Sequence, residues 1–301
     1  MKIALTDLPH PFLAEPRIIA QSAGGPWHDL EDVLMESGLS GLPAAQSLPG
    51  ALTFLSSLTS GGKRKLESAL GAHQNGIAAP QLRKPIDPLA KILLTEGRVA
   101  LSRSNDQLPA KMVVGFSKFA TALADPDISI HLPEPQARYD VEACLAVVLG
   151  QAASRVNART AARSIVGFTL MAEVTHRDMF DAEWRTSNSL FAKNCRALSP
   201  LGPAIWIGGL SELDPATEIT LAINGQTRQR FAIADFAHGI AEATKAWSRC
   251  VLEPGDMVAL GAAIAKPRPG TEIDSPVAIA AGDRIEVSCA PVGTLTARFA
   301  D

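Results

Sequence analysis

The hydrophobic and polar positions change rhythm about ninety residues in. Before that point LEDVLMES, ALTFLSSLTS and KRKLESALGAH place apolar residues three and four apart, the spacing of short amphipathic helices. The stretch Ile77–Pro88 (IAAPQLRKPIDP) holds three prolines and reads as a linker. Beyond it the pattern becomes that of strands: KILL, MVVGF, ACLAVVLG, SIVGFTLMAEV, AIWI, EITLAING, MVAL, DRIEVSC and TLTARF. Asn224-Gly225 between two strand-like runs predicts a two-residue hairpin. Glu253-Pro254-Gly255-Asp256 predicts a turn, and Asp235 is a candidate cap for a helix whose apolar face is Ile240, Ala243, Thr244 and Trp247. Many strands with few helices predict an α+β, β-rich fold, divided into a small N-terminal domain with its linker (1–88) and a larger strand-rich domain (89–301).

Composition narrows the function classes. A formal net charge of -3 without a block of like charge argues against a nucleic-acid or anionic-membrane partner. No apolar run approaches the length needed to cross a bilayer, and the N-terminus lacks the apolar core of a signal peptide. Cys144, Cys195, Cys250 and Cys289 are widely separated and form no CxxC pair, so reduced thiols in a cytoplasmic protein are expected.

The order of short motifs from about Val114 to Phe299 resembles the fumarylacetoacetate hydrolase (FAH) superfamily. VEACLAVVLG (Val141–Gly150) is similar to the family's E-x-E-L-x-V-V-x-G strand, and GFTLMAEVTHRD (Gly167–Asp178) to its segment ending in A-R-D. FAKN matches A-K-[ST], LGPAIW matches G-P-x-[IV], INGQTRQ matches V-N-G-E-x-R-Q, and EPGDMVALG and AGDRIEVSCAPVGTL match the two closing G-D elements. The resemblance implies an FAH-like mixed β-roll, a homodimer, and chemistry on a small 2-oxo or β-diketo acid. It also implies a divalent Mg²⁺ or Mn²⁺ that chelates the substrate and stabilises an enolate, work that suits hard oxygen ligands.

On that resemblance the metal positions fall on Glu142, Cys144 and Glu173. Residues at i and i+2 of a strand share a face, which is why the spacing matters. Cys144 places a soft, ordinarily neutral thiol where the family has a carboxylate, which weakens a Mg²⁺ site. Lys193 matches the lysine that holds the developing negative charge, and Arg177 is placed to clamp a substrate carboxylate. Phe180 stands where a substrate-binding Gln is common, and the T-G-T-P loop becomes Leu260-Gly261-Ala262-Ala263, followed by Ile264-Ala265, so its hydroxyl groups are gone. The lid motif carrying a His–Glu pair has no counterpart in Glu96–Gln107, so His131, with His176 behind it, is the candidate general base. Hydrolytic C–C cleavage is the expected reaction. Hydration or dehydration of a 2-keto-3-deoxy acid, and a reduced homologue that only binds a ligand or partner, are the alternatives.

Overall fold

The structure is a computed structural model, and it describes residues 1–9, 16–39, 46–96, 113–186, 189–236, 239–261, 272–273 and 277–301. The strands in chain order are β1 (Lys2–Pro9), β2 (Pro16–Gln21), β3 (Trp27–Asp29), β4 (Leu82–Arg83), β5 (Ile92–Glu96), β6 (Val114–Lys118), β7 (Leu123–Ala124), β8 (Ser129–His131) and β9 (Tyr139–Leu149). They continue as β10 (Ile165–His176), β11 (Ser199–Ile207), β12 (Glu218–Ile223), β13 (Gln226–Ala232), β14 (Met257–Gly261), β15 (Glu272–Ile273), β16 (Val277–Ile279), β17 (Arg284–Cys289) and β18 (Gly293–Ala300). The helices are α1 (Leu30–Ser37), α2 (Leu48–Ser57), α3 (Ser60–Ala72), α4 (Ala158–Ser164), α5 (Arg177–Trp184), α6 (Leu190–Lys193) and α7 (Ile240–Trp247).

Two mixed sheets carry the fold. The larger has 12 strands along the path β3-β2-β1-β11-β10-β9-β14-β5-β6, with β4, β7 and β16 attached to its sides. The smaller has six, in the order β15-β13-β12-β17-β18-β8. The strand-rich α+β expectation is therefore met. Asn224 and Gly225 both have positive φ and close the β12–β13 hairpin, as their sequence predicts. The Glu253–Asp256 turn closes with Asp256 N donating to the Glu253 carbonyl at 3.0 Å. Asp235 does not cap α7. Its carboxylate accepts from Ala232 N at 2.9 Å within a short 3₁₀ turn, and Gly239 stands at the helix start.

The three N-terminal helices form where the apolar spacing predicts. Ser47 and Thr59 cap α2 and α3 by accepting from Gly50 N and Gly62 N. The expected division at 88/89 falls between β4 and β5, yet the two parts share one sheet. β1 pairs antiparallel with β11 through Lys2↔Trp206 and Ile3↔Ile205. Leu52 and Leu55 of α2 pack in the same buried cluster as Ala146, Val148 and Met257.

The long central strand β9 has two differently used faces. Val141, Ala143, Leu145, Val147 and Leu149 point into the core shared with the smaller sheet, against Ile219, Val287 and Phe299. Cys144, Ala146 and Val148 point the other way, under the N-terminal helices. Continuing that second face toward the strand's start gives Glu142 and then Asp140. One face thus passes from aliphatic to acidic along a single strand. Strand pairing on one side changes at this point: β14 pairs with β9 from Cys144 onward, β16 pairs at Tyr139–Val141, and Gln229 Oε1 accepts from Ala143 N at 3.0 Å in between.

Candidate active site

The acidic end of that face is completed by β10, which runs antiparallel to β9 with Glu173 opposite Glu142 and Thr175 opposite Asp140. Glu173 is fully buried and is flanked by two lysines. Lys193, the last residue of α6, lies 2.8 Å from its Oε2 and donates also to Thr175 Oγ1 at 2.7 Å. Lys118, the last residue of β6, lies 3.1 Å from Oε1 and donates to the Lys193 carbonyl. The Lys118–Glu173 contact is an ion pair buried on both sides. Thr175 Oγ1 is also 3.1 Å from Glu173 Oε2, which fixes the carboxylate's rotation.

Arg177 opens α5 and returns onto β9: its Nε donates to Asp140 Oδ2 at 3.0 Å, and a terminal nitrogen contacts the same oxygen. Its guanidinium lies 4.7 Å from the Phe180 ring centroid, and Lys193 Nζ lies 4.8 Å from the Phe116 ring and 5.6 Å from that of Phe180. The aromatic rings thus wall the cationic side of the cluster. Gly261 pairs with Cys144 at the end of β14. A Cβ there would stand 3.1 Å from Cys144 Sγ and 4.0 Å from Glu142 Oε2, so glycine keeps the space beside Glu142 open.

Burial and neighbours tune these groups differently. Burial works against the Glu173 charge, but Lys193 and Lys118 outweigh it and hold the carboxyl below its usual range. Burial likewise opposes the Lys193 charge, and Glu173 and Glu142 overcome it, keeping the ammonium firmly protonated. Lys118 is pulled below the ordinary lysine value by burial, with the like charge of Lys193 adding to the effect against the attraction of Glu173. Asp140 is raised by burial, with Arg177 opposing. Glu142 is raised by burial, against the pull of Lys193 and with help from Glu173 and Asp140. Burial, reinforced by Glu142 and Glu173, pushes the Cys144 thiol well above its usual range, so it stays neutral. Among the described residues Glu142 has no ion pair or hydrogen-bonding partner on its side chain. It is the one carboxylate of the cluster left to exchange a proton.

The expected residues Glu142, Cys144, Glu173, Arg177, Phe180, Lys193 and Gly261 gather around this one site. His131 does not, and its candidacy as base is corrected. It sits on β8, beside the C-terminal strand of the smaller sheet, where its exposed ring contacts the Asp301 carbonyl at 2.6 Å. His176 pairs opposite Tyr139 on the other face of β10, and its Nδ1 accepts from Met179 N at 3.3 Å at the start of α5. The loop 262–265 and the segment 97–107 lie outside the described residues. Lys118, Asp140 and Thr175 were not singled out from the sequence. Extending the alternation Glu142–Cys144 one step back finds Asp140, and extending Glu173 one step on finds Thr175.

A family model for the C-terminal region of fumarylacetoacetate (FAA) hydrolases matches residues 94–300, the span that contains every group of this cluster. The chain belongs to the fumarylacetoacetate hydrolase family. An uncharacterized protein of Pyrococcus abyssi is 33% identical over 180 residues, covering 58% of this chain and 79% of its own. Oxaloacetate tautomerase YisK of Bacillus subtilis is 24% identical over 239 residues, 77% of each chain. The solved fumarylacetoacetate hydrolase of Exiguobacterium antarcticum superposes with a TM-score of 0.72 at 20% identity, covering 100% of this chain and 99% of its own, a likeness of fold. The named members of the family found alongside this chain are enzymes, and this FAH-family chain is one too. No helix of the described residues is long and apolar enough to cross a membrane, and all four cysteines are free.

The divalent metal implied by the family does not fit the residues present. Glu142 and Glu173 Oε1 offer two oxygens, but the third family position is the neutral Cys144 thiol, a poor partner for Mg²⁺. Asp140 is already paired with Arg177 and Glu173 with both Lys193 and Lys118, and Lys118 Nζ stands against the very oxygen a metal would need. Among the described residues no three His, Cys, Asp or Glu side chains converge closely enough to hold an ion. No step is therefore routed through one.

Proposed function

We propose that this FAH-family enzyme moves a proton between carbon and oxygen of a small 2-oxo acid, interconverting its keto and enol forms. The observation that carries this reading is Glu142: a carboxylate held in a buried cluster, unpaired among the described residues, and raised in proton affinity by its surroundings. A general base is most effective when its pKa is brought toward the working pH, and burial beside Glu173 and Asp140 does that. Two relatives named oxaloacetate tautomerase, from Bacillus subtilis and Bos taurus, support the substrate class.

In this reaction Glu142 removes a proton from the carbon next to the 2-oxo group. The C–H electron pair becomes the C–C double bond, and the carbonyl pair moves onto oxygen. Lys193 holds that oxygen as it becomes negative, kept charged for the task by Glu173. The oxygen is then protonated and Glu142 releases its proton, so the net change is an isomerisation with no other reactant. Arg177 holds the substrate carboxylate while Asp140 fixes its guanidinium plane. Phe180 and Phe116 keep bulk water from the Lys193 side. Hydrolytic cleavage of an acylpyruvate, the second reading, is favoured by the family match itself. It would use the same oxygen holder, with Glu142 drawing its proton from water.

Following the enol absorbance of oxaloacetate tests the first reading, and product analysis with an acylpyruvate tests the second. Accelerated enol decay without C–C cleavage is the expected pattern; cleavage without accelerated decay would reverse the order of the two. Arg177→Ala is expected to weaken oxalate binding by about 1.5–3 kcal/mol, the range for a charge-assisted hydrogen bond. Calorimetry showing unchanged affinity would remove Arg177 from the substrate site.

A further inference from the structure

We infer that the cavity where α3, α4 and the start of β10 meet is a second binding site, one for a small phosphate-bearing molecule. It holds about 380 Å³, within the roughly 300–1,000 Å³ usual for small-molecule sites. Three cations line it: Lys63 from the start of α3, and Arg159 and Arg163 from α4. The active-site cluster shares no residue with it. The cavity takes Ile165 and Val166 from the beginning of β10, and Glu173 lies toward that strand's other end.

These cations are short of counter-charge. Arg159 and Arg163 stand one turn apart on the same face of α4, where like charges repel. Arg159 also lies in the helix's first turn, whose partial positive charge disfavours a cation, and no acidic side chain there offsets it. Among the described residues neither arginine makes an ion pair. Lys63 meets only Glu212 Oε1, at 3.6 Å, and that oxygen already accepts from Gly209 N at 2.8 Å. A bound anion relieves all three at once. A phosphate ester brings about two negative charges at neutral pH and three terminal oxygens, which suit the planar forks of two arginines. The rest of the wall includes Ala162, Val166 and Leu210, an apolar surface for the carbon skeleton that such an ester carries.

The test is calorimetric titration of the full chain with phenyl phosphate, with succinate as the dicarboxylate control. One phenyl phosphate per chain is expected, with a dissociation constant below about 2 mM at physiological ionic strength. Replacing both arginines, Arg159→Gln with Arg163→Gln, should weaken it by about 10–100-fold. Without ligand, the doubly substituted chain should be at least as stable to denaturant as the native one, because a repulsion has been removed. A constant above about 2 mM for the native chain overturns the proposal. So does unchanged affinity in the double variant, which would place phenyl phosphate elsewhere, the Arg177 site included. Succinate binding as tightly as phenyl phosphate overturns the phosphate assignment. A double variant clearly less stable than the native chain would give the arginines a structural role and overturn it too. Because the cavity and the active-site cluster share no residue, each of these results leaves the tautomerase reading as it stands.

Discussion

Replacing Glu142 with Gln is expected to slow keto–enol interconversion by about 10²–10⁴-fold, the usual contribution of a positioned general base. The substitution preserves shape and removes the exchangeable proton, so binding of oxalate should change far less than turnover. The pH profile follows from the same group. Glu142 faces Asp140 and Cys144 on its own strand, Glu173 on β10, Lys193 on α6 and Arg177 on α5, and its proton affinity is raised in their midst. Turnover should therefore rise as pH passes upward through that raised value, and Glu142→Gln should flatten the limb. Stability has the opposite sign. Between the ordinary carboxylate value and the raised one, the folded chain keeps a proton that the unfolded chain has released, so stability falls as pH rises through that window. A turnover loss below about fivefold would remove Glu142 from the proton-transfer step.

Glu173→Gln carries the largest structural effect. Both lysines lose their shared counter-charge inside the protein, and breaking a buried pair from one side costs about 3–5 kcal/mol. Chemical denaturation should show that loss. The wild-type contribution has a definite pH direction: a carboxyl held below its ordinary value stabilises the fold above that value, and the contribution disappears as pH falls through the folded one. Lys118 limits the damage, since burial already weakens its hold on a proton. A loss under about 1 kcal/mol would mean that the lysines find other partners and that Glu173 does not organise the site.

Much of this arrangement is legible in the sequence because strand geometry is local. Glu142 and Cys144 sit on one face by alternation, and the antiparallel partner carrying Glu173 follows in the chain. Lys193 and Arg177 were found through the family resemblance, and both reach the cluster. Lys118 was not, because no local pattern relates it to Glu173: they lie on strands separated in the sheet by β9, β14 and β5. His131 misled for the reverse reason. It lies eleven residues from Glu142 in the chain, but β8 leaves for the smaller sheet and pairs in parallel with β18. The helix-to-strand change near residue 90 marks a real shift in texture without isolating the N-terminal part, since the β1–β11 pairing depends on residues two hundred apart.

The most direct test of the central claim is proton exchange at the carbon next to the 2-oxo group. Native enzyme and Glu142→Gln would be incubated with oxaloacetate in deuterated buffer containing EDTA, and loss of the proton signal followed by nuclear magnetic resonance. The account predicts exchange well above the spontaneous rate for the native enzyme in EDTA, and near the spontaneous rate for the variant. Native exchange no faster than buffer, or exchange that appears only when Mg²⁺ or Mn²⁺ is added, would contradict it.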